Sequence, residues 1–128
     1  MTMREEAEEM IRRAIRDVQP DEAVNAALRD LELPEGRVVA VAFGKAAWQM
    51  AKAASDALGD KLDEGIVITK YGHSRGEIPG FQIFEDGHPV PDGNSFQATA
   101  RAVELTESLT AQDLVLLLIS GGGSALFE

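Results

Sequence analysis

Three stretches of this sequence carry residues that could hold a charged group or help to move one. The first is Phe43-Gly44-Lys45, where a lysine follows a glycine at the end of an apolar run. If a helix starts there, its positive end disfavours a cation by a few tenths of a kcal/mol to about 1. An anionic guest shared by Lys45 and the helix N-terminus explains the placement. The plainer account is a lysine that reaches out to water. The second stretch is Ser120-Gly121-Gly122-Gly123-Ser124. Consecutive backbone N–H groups with no Cβ in the way can form a nest for an anion, and Ser124 could cap a helix that follows. A flexible turn would also tolerate glycines, at a high cost in chain entropy. The third stretch is a pair of loops. Thr69-Lys70-Tyr71-Gly72-His73-Ser74 offers Lys70 to a carboxylate or hydroxyl. Gly87-His88-Pro89-Val90-Pro91-Asp92 offers His88, stiffened by its prolines, as a group that orients substrate or exchanges a proton. Each loop can equally be an ordinary polar turn.

Several chemistries are disfavoured. The glycines do not form a G-x-S-x-G elbow, a Walker A loop or a G-x-G-x-x-G fingerprint. His73 and His88 lack the spacing of metal ligands, so no protein metal site is expected. Asp92 could hold Mg²⁺ through water. There is no cysteine, which removes thiolate ligands, disulfides and a cysteine nucleophile. Trp48 reads as packing.

These residues need elements to place them. Residues 3–18 have an amphipathic helical spacing, with Ala7, Met10, Ile11, Ala14, Ile15 and Val18 on one face. Pro20 permits a second helix, about 21–31, which Pro34-Glu35-Gly36 ends. Val38–Phe43 is a continuous apolar run, as in a strand covered on both faces. An alanine-rich helix over 46–58 follows, closed by Gly59. Further strands are expected at 65–70, 81–84 and after Asp113. Between the last two lies a helix that Asn94 caps, with Gln97 as its capping-box partner. This order predicts an α/β fold, Rossmann-like and three-layered, with a mostly parallel sheet in strand order 3-2-1-4. In that order the strands ending at Gly44 and at the triple glycine are neighbours at a switch point, where ligands of such sheets bind.

Composition narrows the partners. The 128 residues are 45% apolar, enough for one domain with one core. A net charge of −10 argues against nucleic acid and anionic membrane surfaces. Residues 37–76 are the exception, with six basic and four acidic side chains, so an anionic small molecule is welcome there. The apolar run Leu114–Ile119 is too short to cross a bilayer. Lack of cysteine and of a signal peptide fits a cytoplasmic location.

The blocks "GKAAWQMAKAA", "GIVITKYGH", "GHPVPDGNS" and "DLVLLLISGGGSALFE" together resemble the amino-terminal part of the glycerate 2-kinase family, the MOFRL-type glycerate kinases often labelled hydroxypyruvate reductases. Gly93 stands where the family more often has an acidic residue. The resemblance implies transfer of the γ-phosphoryl of ATP, with Mg²⁺, to the 2-hydroxyl of D-glycerate. Lys45 then matches the active-site lysine, and Ser120–Ser124 the phosphate- and substrate-binding turn. Family members are several times longer, so the chain reads as a fragment of the Rossmann-like domain, lacking the carboxyl-terminal MOFRL domain and inactive alone. Apolar surface meant for the missing part would allow self-association. The competing readings are a nicotinamide-dependent hydroxypyruvate reductase and a non-catalytic sugar-phosphate-binding module.

Overall fold

Val38–Phe43 is the centre of the sheet in the computed structural model, which describes residues 2–87 and 92–123. The elements run α1 (Met3–Asp17), α2 (Pro20–Arg29), β1 (Val38–Phe43), α3 (Ala47–Leu58), β2 (Glu64–Lys70), β3 (Phe81–Asp86), α4 (Gly93–Glu107) and β4 (Leu114–Ile119). The sheet is parallel throughout, in the expected order β3-β2-β1-β4. β1 pairs with both β2 and β4, and Phe43 sits opposite Ile68 on one side and Ile119 on the other.

Strand alternation sorts the core into two faces. Val39, Val41, Ile66 and Ile68 pack under Ala98, Ala102 and Leu105 of α4. Ala42 and Val67 face Ala47 and Ala51 of α3, where small side chains let helix and sheet approach closely. Val24 of α2 then packs on Met50, Ala53 and Ala54 of α3. β2 returns to β3 in parallel through residues 71–80 without a helix, and Ile78 from that loop is buried against the α3 face.

Two features differ from the reading of the pattern. α1 has a capping box built on Thr2 and Glu5 and an apolar stripe, yet none of its residues is buried. Met10, Ile11 and Ile15 are 70%, 59% and 53% exposed. Periodicity shows that a helix has an apolar face; it does not supply a surface to cover it. In addition, α4 is capped by Asp92 rather than by Asn94. The Asp92 carboxylate accepts the N–H groups of Asn94 (3.1 Å) and Ser95 (3.2 Å). Ser95 Oγ accepts the Asp92 N–H in return, so Gln97 has no part in the box. No described helix is long and apolar enough to cross a membrane.

Candidate active site at the carboxyl edge of the sheet

The parallel ladder runs past the ends of β1 and β4 and joins their turns. Ser120 N–H donates to Phe43 O (3.1 Å), and Lys45 N–H donates to Gly121 O (2.9 Å). Ser120 Oγ accepts the Ala46 N–H at 3.0 Å. Gly44 makes this approach possible. Its φ is +122°, a region that side chains avoid, and a Cβ there would strike the Ser120 hydroxyl and come within 2.7 Å of its carbonyl oxygen. Buried Thr69 holds the turn from the β2 side by donating its hydroxyl to Gly44 O at 3.0 Å.

Among the described residues this junction leaves donors free. α3 begins at Ala47 with Ala46 as an uncapped N-cap, so Lys45 stands just ahead of the helix. The Trp48 and Gln49 N–H groups have no acceptor among the described residues, as expected for a first turn. The N–H groups of Gly121 and Gly122 likewise have none there, whereas Gly123 N–H closes the turn on Ser120 O at 3.2 Å. Gly122 has φ +84°. Gly123 is needed for packing, since a Cβ would lie 2.9 Å from the Phe43 ring.

On the β2 side of Lys45 lies an open cleft of about 250 Å³, lined by Lys45, Trp48, Gln49, Gly72, His73 and Arg75. His73 Nδ1 is 3.1 Å from Lys45 O. A carbonyl only accepts, so Nδ1 carries the proton and Nε2 is the free ring nitrogen. The Arg75 guanidinium lies 6.0 Å from the centre of the Trp48 ring, and the indole N–H donates to Gly76 O at 2.8 Å.

A family model described as a domain of unknown function, DUF4147, matches residues 6–128. The chain belongs to the DUF4147 family. It is 53% identical over 120 residues to a D-glycerate 2-kinase of Thermotoga maritima, a match covering 94% of this chain and 28% of that protein. It is 42% identical over 94 residues to a glycerate 2-kinase of Pyrococcus horikoshii, covering 73% of this chain and 21% of that protein. A crystal structure of glycerate kinase from Thermotoga maritima superposes with a TM-score of 0.90 at 53% identity, over 95% of this chain and 29% of that one. The resemblance in the four sequence blocks is thus to the amino-terminal part of these kinases. The DUF4147 chain spans a little over a quarter of the Thermotoga relative's length.

Within this DUF4147 sheet the expected site residues divide. Gly44, Lys45, Ser120, Gly121, Gly122 and Gly123 meet at one junction. Lys70 ends β2 opposite Asp86 of β3 and, by alternation with Ile66 and Ile68, belongs to the α4 side, away from the cleft. His88 and Ser124 lie outside the described residues. Arg75 and Trp48, which the sequence pattern does not mark as candidates, line the cleft. The one available signal was the basic balance of residues 37–76, to which Arg75 contributes.

Asp86 is a second unforeseen feature. It is fully buried, and neither carboxylate oxygen has a hydrogen-bond partner among the described residues. Burial pushes its pKa up to about 6, opposed by the nearby Ser95 hydroxyl and assisted by the Asp92 charge. That Ser95 hydroxyl is engaged with Asp92. Asp92 is held below its ordinary value, first by the Tyr71 hydroxyl, which donates to it at 2.8 Å. Among the described residues no group of three or more His, Asp or Glu gathers as a metal site.

Proposed function

We propose that this chain carries part of the active centre of a glycerate 2-kinase, which transfers the γ-phosphoryl of ATP to the 2-hydroxyl of D-glycerate and yields 2-phosphoglycerate. The observation that carries this reading is the Lys45–Gly121 junction at 2.9 Å, in a chain 53% identical to a D-glycerate 2-kinase. Phosphoryl transfer asks a protein mainly for positioning and charge neutralisation. The Gly121 and Gly122 N–H groups suit phosphate oxygens, and the Lys45 ammonium suits the charge on the group in flight. The acceptor hydroxyl oxygen bonds to phosphorus as the bond to ADP breaks, and the hydroxyl proton passes to water. In this reading residues 1–128 belong to the Rossmann-like domain, and a MOFRL-type domain supplies the facing wall.

The described residues do not fit a Mg²⁺ site. Asp92 is committed to Tyr71 and to the α4 cap, Asp86 is sealed, and the open junction presents cations. Mg²⁺ is ordinarily held by one or two carboxylates together with substrate phosphates. No step is derived through it.

The test is to assay the complete reading frame containing residues 1–128 with ATP and D-glycerate, and in parallel with hydroxypyruvate and reduced nicotinamide. ADP release that depends on D-glycerate is expected, with a loss of roughly 100-fold or more in kcat for Lys45→Met. Residues 1–128 alone should not turn over. Nicotinamide oxidation without ATP use would contradict the reading and favour the reductase.

A further inference from the structure

We infer that the cleft between the first turn of α3 and residues 72–76 receives the carboxylate of a small 2-hydroxy acid, with Arg75 as the residue that selects it. This rests on the kinase reading and assigns its acceptor subsite. Four observations lead there. Charge comes first. The chain carries a net −10, and among the described residues Arg37, Lys52 and Arg101 are paired with carboxylates, whereas Lys61 and Lys70, like Lys45 and Arg75, are not. Among the described residues no carboxylate lies within 4.0 Å of the Lys45 ammonium or the Arg75 guanidinium, the two cations lining the cleft. These two cations share one cleft, where an anionic guest can answer both.

Second, Arg75 lies beside an aromatic ring that is itself tied down. Its guanidinium lies over Trp48, and the Trp48 indole N–H is tied to the backbone of the same loop at Gly76. A guanidinium over an aromatic face keeps its donor fork available for a carboxylate. Third, His73 places Nδ1 on Lys45 O, so in the neutral imidazole the acceptor is Nε2, beside those cations. Carboxylate donors beside a hydroxyl acceptor are what a hydroxy acid requires. Fourth, size and place agree. About 250 Å³ is room enough for a three-carbon acid. The glycine turn lies on the β4 side of Lys45 and the cleft on its β2 side. Phosphoryl donor and acceptor therefore meet at Lys45.

Trp48 is the sole tryptophan and lines this cleft, so its emission reports on occupancy. The 128-residue chain is titrated with D-glycerate, with glycerol and with inorganic phosphate. D-glycerate should change Trp48 emission saturably, glycerol should not, and phosphate at equal concentration should not displace the acid. Arg75→Met should weaken D-glycerate binding by roughly tenfold or more, and Arg75→Lys by less, with thermal melts matching the parent chain. In the complete enzyme, Arg75→Met should raise KM for D-glycerate by a similar factor and leave KM for ATP unchanged. An unresponsive Trp48, equal binding by glycerol, displacement by phosphate, or an Arg75→Met chain that binds as well as the parent would overturn the assignment. If the complete enzyme ignores ATP, the kinase reading fails, while the titration still decides whether the cleft takes a 2-hydroxy acid.

Discussion

Gly44 and Ser120 lie so close that a side chain at Gly44 would have to displace Ser120. The Ser120 side chain and carbonyl fill the space a Gly44 Cβ would occupy, and the same Ser120 hydroxyl accepts the Ala46 N–H. The turns after β1 and β4 are therefore one structure. Whatever positions Lys45 also positions the glycine turn.

Gly44→Ala should accordingly cost about 2–5 kcal/mol, from the positive φ and the overlap with Ser120. Urea unfolding of parent and variant checks this. A cost under about 1 kcal/mol would mean that the turns separate easily.

Asp86 should make stability depend on pH. Its folded-state pKa, about 6, lies above the ordinary 3.8, so the native state holds the proton more tightly than the unfolded chain. Its stabilising contribution is present below pH 3.8 and is lost as pH rises through 6. Asp92 and Asp113 act in the opposite sense. The Tyr71 hydroxyl holds the first low and the Thr110 and Arg37 N–H groups hold the second low, so both lose stabilisation as pH falls. The difference between parent and Asp86→Asn isolates the effect. Asn should gain about 2–3 kcal/mol relative to the parent between about pH 4 and pH 7. Equal pH dependence in both chains would show that the buried carboxylate finds a partner.

The α1 stripe should contribute nothing to the stability of the sheet. Ile11→Gln and Ile15→Gln should change unfolding free energy by no more than about 0.5 kcal/mol. Ile68→Ala, at 0% exposure under α4, should cost about 2–5 kcal/mol. Chemical denaturation of the three variants decides it, and a large loss at Ile15 would mean that α1 packs on the domain.

What was legible in the sequence was whatever depends on local pattern plus chain topology. The unbroken Val38–Phe43 run marks a doubly covered strand, and right-handed crossovers then leave few strand orders. From that order follows the meeting of Lys45 with the glycine turn. Less legible was anything set between distant segments. Asn94 and Gln97 have capping-box spacing, as do Asp92 and Ser95, and only the arrival of the chain at α4 selects the second pair. Trp48 and Arg75 are 27 residues apart, and nothing local says that one stacks on the other. Asp86, an acid at a strand end, resembles any solvated terminus until Ser95 and the rest of the α4 start close over it.

The central claim is that Lys45 and the glycine turn hold one anionic group between them. Amide chemical shifts of the nitrogen-15-labelled chain, followed during titration with ATP, test it most directly. The Gly121, Gly122 and Lys45 amides should shift together along a single binding curve, and Lys45→Met should weaken that curve by roughly tenfold or more. Amides that stay still, or that titrate with separate affinities unaffected by Lys45→Met, would contradict it.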